Sequence, residues 1–237
     1  MKPILFVVGL PIGHPDDLSP RALEALRTAD LLICESRKVA STLYRRHELE
    51  FPREAYRELN QHTRSAELRE LLDAVLNASR TVLISDAGMP VLEDPGANVV
   101  RQARNMGIRV QVIPGPTALT AALAVAGLGG HGFYFAGFAP RKTPERQKFL
   151  ERLFHRNLRG QPVVLYETPY RLHKILDEIA KTAPPAFHLF LAVDLTTEKE
   201  FTLDVPVRNI QAEAGRVPKG NPVLILYEER GSVRFDS

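Results

Sequence analysis

The chain has 237 residues, 44% of them hydrophobic and 25% charged, which is close to globular averages. That length suits one large or two small domains, and the composition excludes a disordered chain. A lone cysteine, Cys34, excludes an intrachain disulfide and any Cys-based zinc site, and fits a reducing compartment. The net charge of +3 and pI near 9.1 make the chain mildly basic.

In chain order, Ile4 to Val8 reads as the first strand. It is too short for a signal peptide, lacks a small-residue cleavage site, and runs into Gly9-Leu10-Pro11-Ile12-Gly13, a tight exposed corner. Ser19 caps a helix that Pro20 opens, with Ala22, Leu23, Ala25 and Leu26 facing inward. Leu31 to Cys34 is a second strand, so Cys34 is expected to be a buried, inert thiol. Glu35-Ser36-Arg37-Lys38 sits at its carboxyl end. A weak strand near Tyr56 to Leu59 follows. Helix Ser65 to Asn77 carries Leu68, Leu71, Leu72, Val75 and Leu76 at i, i+3, i+4, i+7, i+8 spacing.

Val82, Leu83 and Ile84 form a buried strand, and Asp94 and Pro95 start a helix as N-cap and first residue. Between them the loop holds Ser85, Asp86, Gly88, Met89 and Pro90, at the strand end where open α/β sheets bind ligands. Gly107 closes the helix, and Arg109 to Ile113 is another strand. The first half thus reads β-α-β-α-β-α-β-α-β, which implies a parallel sheet. On that reading Glu35 and Asp86 lie at one sheet edge.

Pro114-Gly115-Pro116 breaks the chain, and the domain boundary is expected here, giving domains 1–114 and 115–237. Thr117 caps an alanine-rich helix, Ala118 to Ala126. The second half is richer in strands: Phe133 to Phe138, Pro162 to Tyr166, His188 to Val193, Phe201 to Asp204 and Val223 to Tyr227. Thr143-Pro144 and Thr168-Pro169 predict helices running to Arg159 and Lys181. The fold class is therefore α/β, with a parallel sheet in the first domain and a mixed one in the second. The longest uncharged, mostly apolar run, Thr117 to Gly130, falls short of the roughly 20 residues of a membrane span. A soluble, cytoplasmic protein without a membrane partner is expected.

Charge is unevenly spread. Arg141, Lys142, Arg146, Lys148, Arg152, Arg156 and Arg159 face only Glu145 and Glu151 between Arg141 and Arg159. Such a face suits an anionic partner such as nucleic acid, or is a solvated helix face. No Walker, protease-like or metal-ligand pattern appears, and the seven histidines do not pair at i, i+4, so no metal is expected.

Five motifs in order carry a resemblance. They are Gly9 to Gly13, Ser85-Asp86-Ala87-Gly88-Met89-Pro90 with Asp94-Pro95-Gly96, Pro114-Gly115-Pro116-Thr117-Ala118, Gly137-Phe138-Ala139-Pro140, and Tyr166-Glu167-Thr168-Pro169-Tyr170-Arg171-Leu172. Together they resemble the tetrapyrrole methylase superfamily, and within it the ribosomal RNA small subunit methyltransferase I branch. The resemblance implies two α/β domains with S-adenosylmethionine (SAM) in a cleft between them, S-adenosylhomocysteine as product, and a homodimer. It implies cofactor contacts at Pro11, Ile12, Ser85, Asp86, Gly88, Met89, Thr117, Ala118, Tyr166, Asn221 and Pro222. The branch's reaction is methylation of a cytidine ribose 2′-hydroxyl, with ribosomal RNA or the small ribosomal subunit as partner.

For that reaction a carboxylate can orient the hydroxyl and accept its proton, and Glu35 and Glu167 are the candidates. Each can instead pair with Arg37 or Arg171. Arg37, Lys38, Arg141, Lys142 and Arg171 would hold phosphates. The chain departs from the branch where charge meets substrate. Glu-Asp-Thr-Arg is here Glu35-Ser36-Arg37-Lys38, the Pro-Ile-Gly-Asn turn ends in His14, Met89 replaces a threonine, and Arg-Glu-Leu-Thr-Lys is Val193-Asp194-Leu195-Thr196-Thr197. The alternatives are methylation of a tetrapyrrole or other small molecule, or a non-catalytic SAM- or RNA-binding paralogue.

Overall fold

Strand β1 (Ile4–Val8) pairs in parallel with β4 (Arg80–Leu83) on one side and β5 (Arg109–Ile113) on the other. Beyond β4 lie β2 (Leu31–Cys34) and β3 (Tyr56–Glu58), giving the parallel order β3-β2-β4-β1-β5. The structure, a computed structural model, describes residues 2–60, 62–128, 130, 132–155 and 160–228. It divides into two compact units, Met1–Thr117 and Ala118–Ser237. Among the described residues no helix is long and apolar enough to cross a membrane.

In the first unit successive strand residues point to opposite faces, and both faces are apolar. Leu31 and Ile33 pack with Leu5, Val7 and Leu83 against Leu71, Val75 and Val99 of helices α3 (Ser65–Asn77) and α4 (Gly96–Asn105). Leu32 and Cys34 pack with Val8 and Val82 against Ala22 and Leu26 of α1 (Pro20–Arg27) and Ala40 and Tyr44 of α2 (Arg37–Arg46). Each fully buried Leu or Val contributes roughly 1.5–3 kcal/mol. Cys34 is buried, and desolvation, with the charges of Glu58 and Asp86, pushes its thiol up to about 12, so it is inert as expected. Helix α2 completes the alternation, although its periodicity did not reveal its bounds. Ser36 caps it, and the Tyr44 hydroxyl ties it to α1 by donating to the Leu26 carbonyl at 3.1 Å.

The start of α4 differs by one residue from the expected one. The N-cap is Pro95 rather than Asp94; Asp94, one residue earlier, accepts from the Gly96 N–H at 2.7 Å and from the Val91 N–H at 2.6 Å. That second bond holds Val91 at a φ of 82°, a conformation that costs a β-branched residue dearly.

The second unit is built on the order β6-β7-β10-β8-β9. Here β6 (Tyr134–Phe138) and β7 (Val163–Tyr166) are parallel, whereas β10 (Pro222–Glu228), β8 (Phe187–Val193) and β9 (Phe201–Pro206) pair antiparallel. The mixed sheet is thus as expected. Helices α5 (Ala118–Ala126), α6 (Thr143–His155), α7 (Leu172–Thr182) and the short α8 (Ile210–Glu213) complete it. Residues 156–159, the end expected for α6, lie outside the described residues.

Two expectations are corrected in this unit. Helix α7 starts at Leu172, not at Thr168-Pro169, because Thr168 is drawn into a turn. Its N–H donates to Glu167 Oε1 at 2.6 Å and its carbonyl accepts from the Arg171 N–H at 3.1 Å. Arg146 does not belong to an exposed basic face. It is 1% exposed, with a two-pronged pair to Glu178 at 2.5 and 2.7 Å.

Candidate active site

In the first unit the carboxyl ends of the parallel strands bring together the loops singled out by sequence. Gly9, after β1, donates to the Ile113 carbonyl at 2.9 Å, and Leu10 donates to the Gly88 carbonyl at 2.9 Å. The Met89 sulfur lies 3.3 Å from the Gly115 nitrogen. Segments 85–89 and 114–117 therefore meet beside the corner that carries Pro11 and Ile12.

The glycines have distinct reasons. A Cβ on Gly9 would sit 2.6 Å from the Gly115 nitrogen, and one on Gly115 would sit 2.7 Å from the Gly9 carbonyl carbon. Two backbones cross there with no room for side chains. Gly88 is different: a Cβ would make only ordinary contacts, 3.4 Å to Ile12 Cγ2 and 3.6 Å to the Pro116 carbonyl. Its glycine is required by a φ of +71° rather than by lack of space.

Glu35 follows β2 and Asp86 follows the neighbouring strand β4, close enough for the Asp86 backbone to bond the Glu35 carboxylate. The Asp86 N–H stabilises the Glu35 carboxylate and the Ser36 N–H that of Asp86. Desolvation nonetheless raises Glu35 above the ordinary carboxylate range, helped by the charges of Asp86 and Asp94. Burial raises Asp86 as well. Ser85 is buried and donates through its hydroxyl to the Ala87 carbonyl at 3.0 Å, so it shapes the loop. Arg37 is held by its N–H donating to Glu58 at 2.9 Å and by its guanidinium stacked over Tyr56. Lys38 is exposed one residue later.

The second unit collects its own candidates at one sheet edge. The antiparallel register sets Tyr166 opposite Val223, beside Pro222 and Asn221. The Tyr166 hydroxyl accepts from the Leu119 N–H at 3.0 Å, fixing the start of α5 at Ala118. Asp194 accepts from the Asn221 N–H at 2.8 Å and from its side-chain amide at 3.2 Å. Glu167, whose side chain is fully buried, pairs with Arg171 at 2.6 Å, leaving Glu167 Oε2 and Arg171 Nη1 without partners among the described residues. Arg141 and Lys142 are exposed, and their loop is fastened by Arg146, whose Nη1 donates to the Pro140 and Arg141 carbonyls at 3.1 and 2.7 Å. That buried arginine, like the crossing of Gly9 with Gly115, went unassigned from sequence. Among the described residues no group of three or more His, Cys, Asp or Glu side chains is placed to hold a metal.

The family model of the tetrapyrrole (corrin/porphyrin) methylases matches residues 5–211. The chain belongs to the tetrapyrrole methylase family. Relatives carrying the name ribosomal RNA small subunit methyltransferase I include one from Leptospira borgpetersenii, 34% identical over 95% of this chain and 88% of its own. One from Thermotoga maritima is 35% identical over 81% and 83%, and one from Neisseria meningitidis 36% over 94% and 75%. The fold is shared with cobalt precorrin-4 methyltransferase, at a TM-score of 0.63 and 16% identity over 94% of both chains. It is shared with diphthine synthase, at 0.67 and 16% over 95% and 89%, and with the Thermus thermophilus uroporphyrin-III C-methyltransferase complexed with S-adenosylhomocysteine, at 0.61 and 17% over 94% and 96%.

As a tetrapyrrole methylase the chain is a SAM-dependent methyltransferase. The first unit's residues fit that donor. Ile12 and Met89 supply apolar surface beside Gly88, and Asp86 offers a carboxylate for hydroxyl or amino hydrogens.

Proposed function

We propose that this methyltransferase acts on a ribose 2′-hydroxyl of a cytidine in small-subunit ribosomal RNA, free or in the small subunit. The observation that carries the reading is the pairing of half-buried Glu35 with Asp86, set beside the cationic start of α2 at Arg37 and Lys38. The relatives' shared name supports the same substrate. Such a substrate places the working protein in the cytoplasm, with ribosomes.

A ribose hydroxyl is a weak nucleophile at neutral pH and gains from a base whose affinity for protons exceeds that of an ordinary carboxylate. Burial and neighbouring charge give Glu35 that property, and its part exposure keeps it within reach of an acceptor. Asp86 raises the basicity of Glu35 by its charge and offers the donor a hydrogen-bond acceptor. S-adenosylmethionine supplies an electrophilic methyl on a sulfonium, whose bonding electrons remain on sulfur in S-adenosylhomocysteine. Glu35 takes the hydroxyl proton as the new O–C bond forms. Glu167, ion-paired to Arg171, holds the Thr168 turn and so positions the segment after Tyr166. Pro11, Ile12, Gly88, Met89 and Thr117 in the first unit, and Ala118, Tyr166, Asn221 and Pro222 in the second, are assigned to the donor. Arg37, Lys38, Arg141, Lys142 and Arg171 are assigned to phosphates, with Arg171 limited by its pair to Glu167.

The test is incubation with methyl-labelled SAM and either undermodified small subunits or precorrins. Label in the RNA is the expected result. Label only in the tetrapyrrole would contradict the reading.

A further inference from the structure

The first unit contains a hollow of about 450 Å³, within the range of ligand sites. One wall is the corner after β1, from Leu10 to Gly13. The opposite wall is one face of α2, where Lys38, Thr42 and Arg46 recur every fourth residue, flanked by Val39, Leu43 and His47. Asp86 and Ala87 close one end. None of Gly88, Met89, Gly115 and Thr117 lines it. The hollow is therefore not the place where the glycine corners meet, but adjoins it through Leu10, Pro11, Ile12, Asp86 and Ala87.

Two features say what the hollow is built for. Its lining is largely apolar, from Leu10, Ile12, Val39 and Leu43, while Lys38 and Arg46 add two cations. In addition, His47 lines it, and the Nε2 of His47 is buried without a hydrogen-bond partner among the described residues. A buried polar atom left unpaired costs stability, so a turn of the imidazole that brings it to a ligand edge in the hollow gains specificity. A flat, weakly polar ring with hydrogen-bonding edges, attached to an anionic backbone, answers both features. That is an unstacked base of single-stranded RNA.

We propose that this hollow holds the base of one nucleotide of single-stranded RNA, read by His47 Nε2 and anchored by Lys38 and Arg46 on the flanking phosphates. The proposal deepens the RNA reading and rests on it. It gives α2 a task beyond packing on the sheet. The base would sit on the far side of Pro11 and Ile12 from the donor, with Glu35 and Asp86 at the end where the two spaces adjoin.

The test uses the whole protein and a short, fluorescently labelled, cytidine-containing single-stranded RNA, titrated by anisotropy with S-adenosylhomocysteine present. Thr42 is exposed, so Thr42→Trp fills the hollow from the solvent side without entering the core. It is expected to weaken RNA binding about tenfold or more, the worth of one stacked base, with calorimetric SAM affinity unchanged. His47→Leu is expected to weaken binding likewise and His47→Gln to restore most of it. This pair decides the matter alone if Thr42→Trp also loses SAM, since that would mark a damaged fold. Wild-type RNA affinity in Thr42→Trp and His47→Leu would overturn the hollow while leaving the RNA reading in place. If the unaltered protein neither binds this RNA nor labels RNA in small subunits, both fall.

Discussion

Glu35, just after β2, takes a hydrogen bond from the Asp86 N–H in the loop after β4, while the charge of Asp86 raises its proton affinity. Both groups are raised mainly by desolvation, so ionising either one works against surroundings that disfavour charge. Such an arrangement is poor for stability and useful for proton transfer.

The first prediction concerns that trade. Glu35→Gln keeps the size and the acceptor oxygen but loses the base. The rate constant for methyl transfer is expected to fall by roughly 10²–10⁴-fold, with calorimetric SAM affinity within about twofold of the wild type. The melting temperature at pH 7 is expected to be equal or higher. A melting temperature well below wild type would show that the ionised carboxylate supports the fold.

The pH profile follows from the same shifts. A raised folded-state value means that Glu35 is protonated, and lost as a base, at a higher pH than an ordinary glutamate. The acid limb of the kcat profile is expected above the usual carboxylate value of 4.5. The stability contribution has the opposite sense: the folded state binds the proton more readily than the unfolded chain, so stability from this group grows as pH falls through the raised value. An Asp86→Asn variant removes a charge that raises Glu35, and its acid limb is expected to move to lower pH.

Substitution of the glycines separates space from conformation. Gly88→Val is expected to weaken SAM binding strongly, chiefly because a β-branched residue resists the φ of +71° and the loop must move. Asp86→Ala is expected to weaken it by removal of a hydrogen-bond acceptor. Gly115→Ala should act through stability, since its Cβ would fall 2.7 Å from the Gly9 backbone. A loss of about 1–3 kcal/mol is expected in denaturant unfolding. Unchanged calorimetric SAM affinity in both Gly88→Val and Asp86→Ala would remove this loop from the donor site.

The basic loop of the second unit offers a paired test. Arg141→Ala with Lys142→Ala is expected to weaken RNA binding and to flatten its salt dependence by up to about two units of slope. Arg146→Met is expected to act indirectly. It leaves Glu178 buried without its partner, at a cost of about 3–5 kcal/mol, and frees the Pro140 and Arg141 carbonyls. A salt slope unaltered in the double variant would mark Arg141 and Lys142 as a solvated surface only.

Much of this architecture was legible in the chain because local signals agreed with the tertiary answer. The α3 periodicity, the Ser19 cap and the strand at Arg109–Ile113 fall where the residues predicted them. Helix α2 was harder to bound, since its long polar residues line the hollow rather than the core. Thr168-Pro169 read as a helix start because nothing local shows that Glu167 captures the Thr168 N–H. Arg146 looked like one more surface cation, and only its distant partner Glu178, 32 residues on, makes it a buried clamp. The family motifs pointed to the donor loops, but the crossing of Gly9 with Gly115 and the unpaired His47 Nε2 are long-range facts with no sequence signature.

The central claim is that these residues methylate a ribose oxygen of RNA, and the most direct measurement reads that bond. Undermodified small subunits are incubated with the protein and SAM, and the RNA is then subjected to alkaline hydrolysis and mass analysis. The account predicts an alkali-resistant linkage carrying 2′-O-methylcytidine, absent when Glu35→Gln replaces the wild type. A methyl group found on a base, or RNA that stays fully alkali-labile while the protein binds SAM, would contradict it.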